Sequence, residues 1–349
     1  MKERVGVALS GGADSALTAS LLLSRGHSVF GLHLLLSHTS AATAQATRAG
    51  DVARQLGVEL RVIDVADAFA ATVIAPFCNE YSAGRTPNPC VTCNRDIKFG
   101  LLLRTALDSG ADKLATGHYA RAVPHERRHE LRRAIDHQAD QSYFLYAIDA
   151  AVLQHLVLPL GEMLRSEVRS LALQQGLIRG KSSQDICFME GQTLRSFTAE
   201  RANATPGDIV DLEGRVRGQH DGLPFYTVGQ RHGLGIALGT PAYVVRLDAR
   251  HNRVVLGPAD ALLSTSARLQ DVRWLVQPGD DEFPVQARIR YRARCTAAQV
   301  TLKETEALVR FLEPQRAVAP GQSVVFYDGD TVLGGGVVAE TYARIYDAD

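Results

Sequence analysis

Two groups of residues in this chain are spaced for chemistry: a serine- and glycine-rich loop near the start, and three of its cysteines. The loop is Ser10-Gly11-Gly12-Ala13-Asp14-Ser15, directly after the apolar residues 5–9 and directly before the apolar stretch 16–24. Glycines there let the backbone approach a phosphate with no Cβ in the way. Serine hydroxyls and the free N–H groups at a helix start supply donors for phosphate oxygens. Asp14 suits such a place when a divalent cation accompanies the phosphates. No Gly-Lys-Ser/Thr ending follows, so no lysine is set to hold a terminal phosphoryl group in transfer. A plain glycine turn between strand and helix is the competing reading.

Cys90 and Cys93 form a C-x-x-C within Arg85-Thr86-Pro87-Asn88-Pro89-Cys90-Val91-Thr92-Cys93-Asn94. The two prolines make the approach extended and stiff. Asn94 is placed to cap a helix beginning near Arg95. A thiol at a helix N-terminus has its thiolate favoured by the dipole, and Arg95 adds to this, so Cys93 is a candidate nucleophile. A structural zinc site usually needs a second paired motif, and the sequence has none. Cys187 stands alone in Ser182-Ser183-Gln184-Asp185-Ile186-Cys187-Phe188. It reads either as a reactive thiol or as a small buried hydrophobe beside Phe188. Cys78, on an apolar helix face, and Cys295, at a strand end, read as structural. Five cysteines in 349 residues do not suggest a disulfide framework and fit a reducing compartment.

Positioning these groups falls to an alternating set of elements. Strand-like stretches at residues 5–9, 29–35, 60–65 and 113–116 interleave with helix-like ones at 16–24, 43–56, 97–109 and 166–175. Such alternation predicts a parallel sheet with helices on both faces and ligands at the carboxyl ends of the strands, where residues 10–15 lie. Past Pro206-Gly207 the pattern changes to short β-branched or aromatic runs between Gly, Pro and Asp turns. The expected fold class is α/β: a catalytic domain over residues 1–205, a central β-rich domain over 206–267 and a C-terminal β-barrel over 268–349. The stretch Gly229–Gly235 lacks a following helix, so it makes a poor dinucleotide motif, and Gly334-Gly335-Gly336 reads as a strand bulge or turn.

The hydrophobic fraction of 46% suits a globular protein. A net charge of +0, from 38 basic and 38 acidic side chains, argues against binding nucleic acid by bulk charge. Local clusters remain. Arg127, Arg128, Arg132 and Arg133 crowd one segment, and Arg288, Arg290, Arg292 and Arg294 alternate with Ile289, Tyr291 and Ala293. In a strand the second spacing puts four guanidinium groups on one face. No apolar run approaches a membrane span and the first strand follows the start at once, so a cytoplasmic protein with no membrane partner is expected.

The loop at residues 10–15 resembles the PP-loop of ATP pyrophosphatases, which split ATP to AMP and pyrophosphate and place AMP on a substrate oxygen. Residues 9–15, 84–99, 115–121, 140–146, 183–188, 226–236 and 320–327 together resemble the tRNA-specific 2-thiouridylases, the MnmA/TrmU family. The match is collinear over nearly the whole chain. Gly84-Arg85-Thr86-Pro87-Asn88-Pro89, Asp140-Gln141-Ser142-Tyr143-Phe144-Leu145-Tyr146 and Gly229-Gln230-Arg231 are its most specific parts.

This resemblance implies 2-thiolation of the wobble uridine of tRNA, with Lys, Glu and Gln acceptors. It implies ATP with Mg2+ held by Ala8, Leu9, Ser10, Gly11, Gly12, Ala13, Asp14, Ser15, Leu34 and Gly117. Cys187 would carry a persulfide received from a cysteine desulfurase or relay protein, and Cys93 would be the other catalytic thiol. Asn88, Pro89 and Cys90 would meet the flipped-out uridine, and His118, Ala139, Asp140, Gln141, Arg290, Tyr291 and Gln322 would contact tRNA. Some members of the family carry Asp where this chain has Cys90, and Lys is frequent where it has Ala139. The segment after Leu34 is also shorter and lacks a tryptophan. Other readings stay open: an iron–sulfur cluster on Cys90, Cys93 and Cys187, a PP-loop synthetase acting on a small acid, or an RNA-binding protein without catalysis.

Overall fold

A computed structural model of the chain describes residues 2–177, 186–189, 191–236 and 241–343. Strand β1 (Arg4–Ala8) runs parallel to β2 (Ser28–Leu35), which pairs with β3 (Leu60–Asp64). On its other side lies β4 (Lys113–Ala115). A hairpin of β5 (Ala120–His125) and β6 (Arg128–Arg133) follows, then β7 (Leu156–Val157). The sheet order is β3-β2-β1-β4-β7. Side chains alternate across a strand, so Val5, Val7 and Leu9 join one core with α1 (Ala13–Ser24), α2 (Ser40–Leu56) and the Arg165–Gln174 helix. Gly6 faces the other way, where a Cβ would stand 3.3 Å from that of Ala106.

The opposite face is covered by a helix over residues 89–108. It opens with Pro89–Thr92, widens into a π-type stretch at Cys93–Leu102 and tightens again at Leu103–Asp108. Pro89 sits at the first helical position, where its missing N–H costs nothing. Gly100 permits the wide turns, since its missing Cβ would lie 3.0 Å from the Arg95 carbonyl oxygen. Asn94 is therefore inside the helix and caps nothing. It is buried, and its amide donates to the Phe144 carbonyl at 3.2 Å.

The central β domain is a four-stranded sheet of β8 (Gly207–Val210), β9 (Val216–His220), β10 (Tyr243–Asp248) and β11 (Arg253–Gly257), in the order β10-β11-β8-β9. The last part is a six-stranded antiparallel barrel of β12 (Leu263–Trp274), β13 (Glu282–Arg288), β14 (Thr296–Lys303), β15 (Glu306–Arg316), β16 (Ser323–Asp328) and β17 (Thr331–Ala343). The β12–β17 pairing closes it and removes its free edges. The α/β class with a C-terminal β-barrel is thus the observed fold, with the barrel's first strand beginning at Leu263.

Both arginine clusters have a different role from the one their spacing suggests. Strand β13 ends at Arg288, and the chain turns there, with the Ala293 N–H donating to the Arg290 carbonyl. Arg288 folds inward while Arg290, Arg292 and Arg294 are exposed, so the four do not share a face. Arg128 and Arg132 pair with the buried Glu130 within the hairpin, and Arg133 lies 4.0 Å from the centre of the Tyr327 ring.

Residues 140–146 wedge the first domain into the barrel. Tyr143 donates to the Ser323 carbonyl at 2.8 Å, and the Tyr146 hydroxyl to Ser323 Oγ at 3.2 Å. Gly335 on β17 makes room for this wedge, because a Cβ there would lie 2.9 Å from the Tyr146 ring. The barrel also holds the loop before the 89–108 helix. Thr86 N–H donates to the Pro320 carbonyl at 2.8 Å, and Gln322 Nε2 to the Thr86 carbonyl at 2.9 Å.

Candidate functional site

The loop after β1 is tied down by its own serines. Ser10 N–H donates to Ser15 Oγ at 3.1 Å, and Ser15 Oγ donates to the Gly12 carbonyl at 3.0 Å. Gly11 has φ +78°, and a Cβ there would meet α2 within 3.1 Å, so the turn requires glycine. Helix α1 starts at Ala13, capped by Gly12 with no side-chain hydrogen bond, so no capping side chain covers its first N–H groups. Gly117, just beyond β4, packs on this start: a Cβ on it would lie 3.0 Å from the Asp14 carbonyl carbon. Asp14 accepts a hydrogen bond from the Tyr119 hydroxyl at 3.1 Å. Burial raises its carboxyl above the ordinary range, opposed by that bond and by the charge of Arg165.

The thiols gather beside the same edge. Cys93 is buried in an apolar cluster with Phe69, Val73 and Ile97, against which Leu34, at the carboxyl end of β2, and Phe188 both pack. The Phe188 ring meets Phe69 and Phe77 edge-on at 5.7 and 5.3 Å, which holds its neighbour Cys187 on this side. Cys187 itself is reached by solvent, and Cys90 is half-buried. The packing of Phe188 on the Cys93 cluster thus brings Cys187 to the side of Cys93, 94 positions away in the chain. The sequence-based expectation for Cys93 acidity is reversed. Burial pushes its thiol up to about 11, and Arg95 does not counter this because it is paired with Asp96 at 2.7 Å. The opposing charge is that of Lys98, a residue absent from the sequence-based site; the signal for it was an amine five positions after Cys93, on one side only of a wide helical turn. The protein atoms packed around Cys90 and Cys187 raise their thiols as well, although Cys187 keeps contact with solvent. Ser183, Gln184 and Asp185 lie outside the described residues.

Other expected site residues have structural partners. Asp140 is 1% exposed and accepts from Ala134 N–H, Ser142 N–H, Ser142 Oγ and Arg288 Nη1 at 3.0–3.2 Å. Ala139 is buried too, beside the start of the wedge at the domain junction. Gln141 Oε1 accepts from Tyr119 N–H at 3.0 Å. His118 lies 2.7 Å from Thr116 Oγ1 through Nδ1 and beside the Phe99 ring at 5.7 Å, and burial moves its pKa well below the usual value. Tyr291 stacks at a tilt on Phe144, with ring centres 4.4 Å apart. Arg290 is exposed. Asn88 and Pro89 form the start of the 89–108 helix beside Cys90.

Among the described residues no group of three or more His, Cys, Asp and Glu side chains is arranged to hold a metal ion. No described helix is long and apolar enough to cross a membrane.

Residues 3–191 match the family model described as a tRNA methyl transferase HUP domain. Residues 195–258 match a tRNA methyl transferase PRC-barrel domain, and residues 264–338 an aminomethyltransferase beta-barrel domain. The tRNA-specific 2-thiouridylase MnmA of Magnetococcus marinus is 45% identical over 351 residues, covering 96% of this chain and 98% of that one. That of Desulforudis audaxviator is 42% identical over 341 residues, covering 96% and 98%. A solved U34-tRNA thiolase NcsA from Methanococcus maripaludis, described with its [4Fe-4S] cluster, is 19% identical with a TM-score of 0.36. It covers 57% of this chain and 62% of that one, a likeness too slight to carry an assignment.

Proposed function

The chain belongs to the tRNA-specific 2-thiouridylase (MnmA) family, and from that premise we propose how its residues thiolate a tRNA uridine at the expense of ATP. It is a tRNA-uridine sulfurtransferase, and we take the wobble uridine as its target. The observation that supports a two-thiol reading is the packing of Leu34 and Phe188 against the Cys93 cluster, which joins the carboxyl end of β2 to the segment that bears Cys187.

A uracil C2 carbonyl is a poor electrophile with a poor leaving oxygen. The Ser10–Ser15 loop, the N–H groups of α1 and Gly117 hold ATP, and Asp14 serves the accompanying Mg2+. The uridine O2 attacks the α-phosphorus and pyrophosphate departs, which leaves AMP bonded to O2. The terminal sulfur of a Cys187 persulfide then attacks C2, and the C2–O2 bond breaks to release AMP. Cys93 as thiolate attacks the Cys187 sulfur of the resulting C2–S–S link. The S–S bond breaks, its electron pair stays on the substrate sulfur, and a Cys93–Cys187 disulfide remains. A dithiol reductant and a persulfide donor protein must restore the enzyme. In the variant order Cys93 attacks first and frees hydrosulfide, which then attacks C2.

Asn88, Pro89 and Cys90, which follow the Thr86 backbone held by Gln322 and Pro320, form the wall for a flipped base. Arg290 contacts the tRNA backbone from the barrel. No carboxylate stands at position 90, so that side chain gives no carboxylate acid–base help. The test is mass spectrometry of the wobble uridine after incubation with tRNA, ATP, Mg2+ and a persulfide source. Wild type is expected to add one sulfur in place of one oxygen, and Cys93→Ser and Cys187→Ser to lose nearly all of it. Full thiolation by either variant rejects the two-thiol scheme.

A further inference from the structure

We propose that the Lys98 ammonium is the shared counter-charge for the sulfur anions formed at Cys93 and Cys187 during sulfur transfer, an assignment that rests on the thiolation reading above. Lys98 follows Cys93 by five positions within the Cys93–Leu102 stretch. In an α-helix a residue five positions on points well away from the first. In π-type turns, closed by i→i+5 hydrogen bonds, it comes round to the same side. The Leu103 N–H bond to the Lys98 carbonyl has that wide spacing. The local widening, which Gly100 permits, therefore puts Lys98 on the same side of the helix as Cys93.

Lys98 is half-buried, and among the described residues it makes no hydrogen bond or ion pair. The carboxylate of Asp96, two positions before it, is held by Arg95. The groups its charge reaches are Cys90 and Cys93 on its own helix, Cys187 on the facing segment and His118 on the loop after β4. Phe99, the next residue, lies against His118 at 5.7 Å, which places this part of the helix beside the turn that carries Gly117. Each thiol has its proton held more tightly by burial, and Lys98 is the first cause acting the other way on all three. An unpaired ammonium beside two thiols that must exchange sulfur as anions lowers the cost of each anionic state. His118, already neutral at ordinary pH, takes none of that charge.

The test compares Lys98→Met, Lys98→Arg and wild type in two assays. In the first, iodoacetamide alkylation of Cys93 in the free, reduced enzyme is followed by peptide mass spectrometry between pH 7 and 9. Loss of an opposite charge typically moves a pKa by about 1–3 units, so the Met variant is expected to react about tenfold more slowly or worse, and the Arg variant within a few-fold of wild type. In the second, pyrophosphate release and sulfur transfer are measured in one reaction, and the Met variant is expected to lose far more of the second than of the first. Unchanged alkylation in Lys98→Met overturns the proposal, as does an equal fall in pyrophosphate release and sulfur transfer, which would put the amine on the nucleotide. Should Lys98→Met fail to fold, Lys98→Gln against Lys98→Arg decides by the same criteria. A wild-type enzyme that thiolates no tRNA counts against the function reading, while the alkylation comparison still judges the assignment of Lys98.

Discussion

Replacing Asp140 by alanine is expected to loosen the domain junction and not to remove a tRNA contact. The carboxylate is 1% exposed, and its ion pair with Arg288 joins the wedge at residues 140–146 to the barrel at 3.0 Å. Arg288 is only 13% exposed, so Asp140→Ala strands a largely desolvated guanidinium as well as two backbone N–H groups. Breaking a buried pair by removing one partner costs about 3–5 kcal/mol. At roughly 2.1 cal/mol/K per residue, a chain of 349 residues unfolding as one unit loses about 1.4 °C per kcal/mol, a fall of about 4–7 °C. The assay is differential scanning fluorimetry of the full chain with the double variant Asp140→Ala/Arg288→Met. Removing the orphaned charge is expected to recover part of the loss. Unchanged melting in Asp140→Ala, with a large drop in tRNA affinity, would refute the reasoning and restore the residue to the RNA surface.

Four further outcomes follow from the geometry. Alkylation of Cys93 is expected to rise about tenfold per pH unit from 7 to 10 with no plateau, because its thiol is pushed up to about 11 and the reactive thiolate grows with pH below that value; a plateau below pH 9 contradicts it. Tyr119→Phe removes a bond that favours the charged form of Asp14, so the acid limb of the pyrophosphate-release profile is expected to move to higher pH, read from initial rates between pH 5 and 8. Gly117→Ala puts a methyl 3.0 Å from the Asp14 backbone, and a shift of the α1 start should cost about tenfold or more in kcat/KM for ATP, at a structural cost of about 1–3 kcal/mol. Arg290→Ala with Arg294→Ala is expected to weaken tRNA binding and flatten the plot of log affinity against log salt by about 1–2, as each lost phosphate contact removes about 0.7–0.9.

Where the chemistry depends on neighbours in the chain, the sequence was sufficient. The Ser10–Ser15 loop needs only a strand, two glycines and a helix start in succession. The parallel sheet follows from the alternation of its elements, and α1 differs from expectation only in starting at Ala13. Legibility fell where tertiary partners decide. Asp140 and Gln141 look like surface polar residues, and only the fold supplies Arg288 and the Tyr119 N–H to them. The alternating arginines read as a strand face because the turn after Arg288 has no Gly or Pro to mark it. Asn94 and Lys98 were misplaced or missed for one reason: the helix begins at Pro89 and widens at Cys93, so positions counted on ordinary helical turns fall on the wrong side. The approach of Cys187 to Cys93 rests on Phe188 entering the Phe69–Phe77 cluster, a contact no local pattern encodes.

The central claim is that ATP makes the uridine oxygen leave as part of AMP before sulfur takes its place. It is tested most directly with tRNA carrying oxygen-18 at C2 of the target uridine, incubated with enzyme, ATP, Mg2+ and a persulfide source. One labelled oxygen is expected in the phosphate of AMP for each 2-thiouridine formed. Label released into water, or found in pyrophosphate, would contradict it.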